Sequence, residues 1–293
     1  MKSNFYHILK LTLILFLFVV SCTTEGVKKK KQTLLETNTN KTTYSPATNK
    51  AELKKLSLKP LKKVSKIKLA NGIKITYFLH GNGEVLKDGE VVQINYEVLL
   101  DDNTFVDGNK LLNRETLPFL VGYGMQTPGW DIAFRKLKVG DFVEIYLPAK
   151  FARGEVGIKG LIPPNANNRI RVKVVEKVKP TKEIDGTKVW LLEQNKSEKK
   201  LANEESEIEF HYMVGTASNP KYDISYKRNQ PFKFRFSDFG IVKGLKKSLI
   251  NAKRSDKIWV LIPPSEAYGE KGLMDIVKSN EHVFYDIFVM DVR

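Results

Sequence analysis

From residue 91 onward, apolar and polar side chains alternate. Val92, Ile94, Tyr96 and Val98 fall on one side of an extended chain, with Gln93, Asn95 and Glu97 on the other. Residues 207–214 repeat the pattern, with Ile208, Phe210, Tyr212 and Val214 set against Glu207, Glu209 and His211. A period of two is that of a strand with one buried face. The same period runs through 142–147, 170–175, 232–236, 257–262 and 284–289. Asn71-Gly72 and Asp185-Gly186 precede further apolar runs and read as turns. Helical spacing is clear twice: Trp130, Phe134, Leu137 and Leu245, Leu249, Ala252 each recur at i, i+4, i+7. Such a stripe packs a short helix onto a sheet. Strands on both sides of one helix, with antiparallel turn signals, predict an α+β domain.

That set of elements occurs twice. YLPAKFARG at 146–154 answers LIPPSEAYG at 261–269, and the same offset of 115 carries Trp130 onto Leu245 and Asp141 onto Asp256. Pro118-Phe119 answers Pro231-Phe232 at 113, and Ile94-Asn95-Tyr96 answers Phe210-His211-Tyr212 at 116. A solenoid repeat is roughly 20–50 residues long, so this one is a whole domain. Residues 69–178 and 179–293 are the predicted units, each large enough for one modest core.

The chain before residue 69 is different. Lys2 and Lys10 precede an apolar run, Leu11–Val20, that ends at Ser21-Cys22. Residues 1–22 thus have the form of a secretory signal, and the run is short of the ~20 residues that span a bilayer. Val19-Val20-Ser21-Cys22 resembles a bacterial lipoprotein box. That resemblance implies cleavage before Cys22, lipid on its thiol and a place in the bacterial cell envelope. Cys22 is the only cysteine, so no disulfide, cysteine zinc site or thiol nucleophile is expected in the domains. The four histidines (7, 80, 211 and 282) are scattered, and no metal site is expected.

The net charge is +16, and its location decides what it means. Residues 23–68 hold thirteen lysines against three acids, whereas the two domains are nearly balanced. The basic character belongs to a tether of low hydrophobicity, which is predicted to be disordered and extended by like charges. Close to an anchoring lipid, its lysines would face anionic head groups. Nucleic acid is not an expected partner.

Within each copy the signals follow one order: a tyrosine-bearing strand, an aromatic near an acidic turn, a Pro-Phe pair, a glycine before the helix, a strand ending in proline, then a loop closed by glycine. PFLVGYG at 118–124, GWD at 129–131, VGD at 139–141 and LIPPNA at 161–166 carry it in the first copy. PFKF at 231–234, IVKGL at 241–245, IPPSEAYG at 262–269 and FYDI at 284–287 carry it in the second. This resembles the FKBP family of peptidyl-prolyl cis-trans isomerases. The resemblance implies two domains, each an antiparallel sheet wrapped on a short helix. It also implies an aromatic groove that works without nucleophile, metal or cofactor. An X–Pro amide resists rotation by about 18–20 kcal/mol because resonance keeps it planar. A dry groove disfavours that charge-separated form and favours the twisted one.

Carried over by position, the resemblance gives the first groove Tyr96, Phe105, Phe119, Trp130 and Ile162, with Trp130 as floor. Val106 stands where an acid is expected, Arg153 where a tyrosine is, Gln126-Thr127 where an apolar pair is, and Ile170 where an aromatic is. The second groove receives Tyr212, Tyr222, Asp223, Phe232, Ile241, Val242, Leu245, Tyr268 and Tyr285, with Leu245 as floor. The expected activity is prolyl isomerisation of exported, proline-containing polypeptides, concentrated in the second domain. The alternative is a non-catalytic binding or scaffold lipoprotein of an envelope assembly. By periodicity alone, Trp130 and Leu245 read first as helix-to-sheet core, Tyr96 and Tyr212 read as packing on a buried strand face, and Asp223 reads as a turn residue.

Overall fold

The computed structural model describes residues 62–293. The signal segment 1–22, Cys22 and the tether up to residue 61 lie outside the described residues. The first strand, β1 (Ser65–Lys68), begins inside the segment read as tether and pairs with β2 (Lys74–Leu79). Folded chain therefore starts a few residues earlier than the sequence pattern predicts.

The first domain continues through β3 (Val91–Leu99), β4 (Phe105–Gly108), β5 (Leu117–Leu120), α1 (Pro128–Phe134), β6 (Phe142–Leu147) and β7 (Asn168–Lys177). The second repeats it as β8 (Lys182–Ile184), β9 (Thr187–Glu193), β10 (Glu207–Gly215), β11 (Asp223–Ile224), β12 (Phe232–Arg235), α2 (Lys243–Leu249), β13 (Lys257–Ile262) and β14 (Val283–Val292). The sheets run β1-β2-β6-β7-β3-β4 and β8-β9-β13-β14-β10-β11, with β5 on β3 and β12 on β10. Every one of these pairings is antiparallel. At the β8–β9 hairpin Asp185 and Gly186 have φ of 49° and 77°, the left-handed pair that a tight two-residue turn needs.

The alternation seen in the sequence is real. Val92, Ile94, Tyr96 and Val98 are buried against α1, as are Ile208, Phe210 and Val214 in the second core. The repeated acids Asp141 and Asp256 are buried buckles. Asp141 accepts from the N–H groups of Gly81 and Lys138, both at 2.7 Å, and Asp256 from Asn195 and Lys253 at 2.8 and 2.9 Å.

The outer face of the second sheet departs from expectation. His211 and Met213 point away from α2 yet are buried. His211 stacks on Tyr226, 4.2 Å between ring centres, and Met213 joins a third apolar cluster between the domains. Val91, Leu120 and Tyr123 of the first domain meet Trp190, Met213, Trp259, Leu261 and Phe284 of the second. Tyr123 sits edge-on to Phe284, 6.0 Å between ring centres. The connection 178–181 is held on both sides, by Val178 N–H on the Val91 carbonyl (2.7 Å) and Trp190 Nε1 on the Val178 carbonyl (3.0 Å).

Candidate active site

The second groove opens over α2. Leu245 forms its floor, 3% exposed, on a helix whose entry carries Ile241 and Val242. β10 contributes Tyr212, the segment entering β11 contributes Tyr222 and Asp223, β14 contributes Tyr285, and the loop after β13 contributes Tyr268. Leu245 and Tyr285 belong to the buried second core, and Tyr212, Tyr222, Ile241, Val242 and Tyr268 pack against it. Phe232 stands at the edge, 37% exposed, its ring centre 6.2 Å from Tyr212 and 5.7 Å from Phe210. The fold thus brings the nine residues of the second groove together.

Two polar networks line this groove. The hydroxyls of Tyr222, Tyr268 and Tyr285 interact in one cluster, and burial pushes all three phenols above their ordinary value. Tyr212 donates to Asp223, whose carboxylate also pairs with Arg228. Arg228 Nη2 reaches Tyr212 Oη at 3.1 Å as well. Burial raises the Asp223 carboxyl, but hydrogen bonds from Arg228 and Tyr212 outweigh it and hold the group below the usual range. Nothing in the sequence spacing of Arg228 links it to Asp223. It is the turn after β11 that folds it back.

In the first groove three assignments change. Asp107, rather than Val106, is the acid's counterpart. Tyr96 Oη donates to Asp107 Oδ2 at 3.1 Å, and the Gly108 N–H to Oδ1 at 2.8 Å. The pairs Val98↔Asp107 and Val214↔Asp223 confirm the equivalence. The repeat offset rises from 115 to 116 in this stretch, and the Tyr96–Tyr212 match already carried that signal. Val106, buried in the groove wall, therefore replaces Tyr222, and Phe105 points to the other side. Phe119 is core: it lies opposite Val92 as Phe234 lies opposite Ile208, while Leu117 holds the place of Phe232. The Pro-Phe match at offset 113 was a coincidence of sequence. Trp130 is the floor as expected, edge-on to Tyr96 at 5.2 Å. Ile162 lines the groove, and Val277 occupies the same place in the second domain, each closing an isolated bridge.

What remains of the first groove is a cavity of about 10 Å³ lined by Val98, Val106, Asp107, Gln126, Thr127 and Arg153 among others. That is room for about one water. Burial lowers the Arg153 guanidinium and raises the Asp107 carboxyl, each partly offset by the other's charge. Thr127 Oγ1 and Asn168 Oδ1 are buried at this cavity without a protein hydrogen-bond partner. The first site is a small, largely polar cavity, whereas the second keeps an apolar floor beneath its two polar networks.

The loop before each helix is held differently. Asp131 on α1 accepts from the N–H groups of Gly122 and Gly124 at 2.9 and 2.8 Å. Its counterpart Lys246 donates instead to the carbonyls of Phe236, at 2.9 Å, and Asp238. Phe239, on the free second loop, is fully exposed. Its counterpart Gly124 has φ of 63°, and a Cβ there would come within 2.5 Å of Pro220. Among the described residues no cluster of His, Cys, Asp and Glu could hold a metal.

The family model described as FKBP-type peptidyl-prolyl cis-trans isomerase matches residues 83–175 and 198–290, one match per domain. The chain belongs to that family. It is 25% identical over 209 residues to the peptidyl-prolyl cis-trans isomerase FKBP10 of Bos taurus, covering 70% of this chain and 34% of that protein. It is 32% identical over 111 residues to FK506-binding protein 1 of Eremothecium gossypii, covering 37% and 95%. It is 29% identical over 160 residues to the isomerase FkpA of Buchnera aphidicola, covering 54% and 59%. The chain spans about a third of the length of the FKBP10 protein it matches.

Proposed function

We propose that the second domain is a working prolyl isomerase and that the first contributes little turnover. The observation that carries this is the hydroxyl cluster at Tyr268. Tyr268 stands with Tyr222 and Tyr285 above the Leu245 floor, where its hydroxyl is placed to donate to a substrate carbonyl. Asp223 is saturated by Tyr212 and Arg228 and held ionised, so it shapes the groove and takes no proton. The reaction then rests on desolvation and positioning of a twisted amide. A general-base mechanism would lose about 10²–10⁴ in rate without its base. Phe232→Ala in the full chain should lower kcat/KM on prolyl peptides about tenfold or more by admitting water, and Tyr268→Phe should cost less because the ring still fills the groove. If Tyr268→Phe abolishes turnover while Phe232→Ala spares it, the desolvation account is wrong.

The finer reading is an exported, lipid-anchored folding helper for proline-containing polypeptides. It is supported by Val19-Val20-Ser21-Cys22 at the end of the apolar run and by a single cysteine placed there. Uncatalysed isomerisation takes tens of seconds and catalysis needs no ATP, which suits an extracytoplasmic compartment. Cys22→Ser followed by cell fractionation tests the anchor, and unchanged membrane association would refute it. A scaffold role is favoured for the first domain, where Arg153 and the Gln126-Thr127 pair make the small groove polar.

A further inference from the structure

We propose that Lys221 is a positioning residue for the second groove: it fastens the β10–β11 connection to the first domain, and the fastened backbone carries Tyr222 and Asp223 into the site. The inference rests on the reading of that groove as the active one. Lys221 Nζ donates to the Met125 carbonyl across the domain boundary, at 3.1 Å. Beside it, Pro220 packs against Gly124. The connection also lies against the end of β10, where a Cβ on Gly215 would come within 2.4 Å of the Lys221 nitrogen. Lys221 itself sits in the left-handed region, φ 58°, uncommon for a lysine.

The brace matters because β11 is short and the connection before it is anchored within the second domain as far as residue 219. Those anchors are Thr216 N–H on the Asn219 carbonyl, Asn219 Nδ2 on the Ile276 carbonyl and Ser218 N–H on Glu281. In the first domain β4 has four residues and follows a turn closed by Leu100 N–H on the Thr104 carbonyl and Asn103 N–H on the Leu100 carbonyl. β11 has two residues and two pairings, Met213↔Ile224 and Val214↔Asp223. The next residues along from Lys221 make the groove's two polar networks, Tyr222 to Tyr268 and Asp223 to Tyr212 and Arg228. Segment 220–223 thus touches the loop before α1 with its first half and builds the second groove with its second. The first domain, poor as a catalyst, is the fixed point from which the second site is held.

The brace has a pH signature that ordinary packing would lack. Burial and the nearby Arg153 push the Lys221 ammonium down to about 8; Asp131 and Asp286 oppose this and Lys227 adds to it. The groove's own groups are silent above neutrality. Asp223 is held below its usual range, the four tyrosines above theirs, and His211 and His282 are lowered by burial. Lys182, on the Ile250 carbonyl, is also lowered by burial, so the variants must assign the step. As Lys221 loses its proton, its charge-assisted bond weakens and the segment loosens.

The experiment is kcat/KM of the full chain on a prolyl peptide from pH 7 to 9.5, with amide NMR shifts of Met125, Tyr222 and Asp223 followed over the same range. The unmodified chain should lose activity on the order of fivefold through a midpoint near 8. Lys221→Met should be lower at pH 7 and flat. Lys221→Arg should be restored and flat, since its guanidinium keeps its proton. In the unmodified chain the three amides should shift together at that midpoint. A Lys221→Met chain with unmodified activity and the same pH step overturns the proposal, as does a loss that Lys221→Arg fails to restore. If the unmodified chain has no isomerase activity, the functional reading fails and the amides alone decide: a common midpoint supports the brace, and independent or absent shifts overturn it.

Discussion

The two grooves share strand order, helix and hydrogen-bonding tyrosine, yet the equivalent carboxylates behave in opposite ways. Asp223 is surrounded by donors, Arg228 and Tyr212, and stays ionised below its usual range. Asp107 has Tyr96, one backbone N–H and a partly buried Arg153, and burial wins. The position of Arg228 is Leu112 in the first domain, so the cation that neutralises the acid comes from the turn in one copy and from the groove mouth in the other. Arg153 lines the first groove's cavity at the position where the second copy has Tyr268. The loops before the helices differ in the same sense: one is docked on the neighbouring domain, and the other leaves Phe239 in solvent. A duplicated fold thus surrounds equivalent carboxylates with different partners.

The largest test of this contrast removes the contact that joins the copies. Trp259→Ala should cost about 3–5 kcal/mol, as for other buried large-to-small changes, because Trp259 is 2% exposed between the domains. The thermal unfolding curve should broaden or split as the domains uncouple. An unchanged single transition would mean that the interface contributes nothing. The isolated second domain would expose Trp190, Trp259 and Phe284, so the full chain is the proper object for kinetics.

A second test tries to erase the difference. In a Phe232→Ala background, the changes Gln126→Ile, Thr127→Val and Arg153→Tyr should raise residual kcat/KM about threefold or more, through a dry wall and a restored phenol. No gain would show that docking on Pro220 and Lys221, rather than groove chemistry, silences the first copy. Val106→Asp is not part of the set, because Asp107 already fills that role and a second buried carboxylate would lack a partner.

Phe239→Ala offers a smaller effect. Its ring stands on the free loop that leads to Ile241 and Val242, where it can meet residues flanking the proline. KM should rise roughly two- to threefold with kcat unchanged, as for a rim contact. A lowered kcat instead would place Phe239 in the chemistry.

The smallest signal is also the most direct. Carboxyl NMR across acid pH should find Asp107 titrating above 3.8 and Asp223 below it. The stability Asp223 provides is complete above its unfolded value and lost as pH falls through its depressed folded value. Asp107 has the opposite sign: what it provides is present below its unfolded value and lost as pH rises through its raised one. Equal midpoints would remove the electrostatic half of the comparison.

The sequence by itself determined the duplicated α+β architecture, because a period of two and a short stripe at i, i+4, i+7 leave few ways to bury one face. It also determined most of the second groove, since Tyr212, Tyr222, Asp223, Tyr268 and Tyr285 lie on elements whose order is fixed by the strand pattern. The near-continuous run at 258–262 held a hint of the interface, as a strand buried on both faces loses its alternation. Only the tertiary structure decided the rest. The offset between the copies is 116 across β3 and β4 and 115 from β5 onward, which moves the acid from Val106 to Asp107, and strand register, not local motif, separates Phe119 from Phe232. Arg228 reaches Asp223 through a turn, and Lys221 reaches Met125 across 96 residues of sequence. A period constrains which face a side chain takes, but the partner it meets there is set by register and docking, which have no local signature.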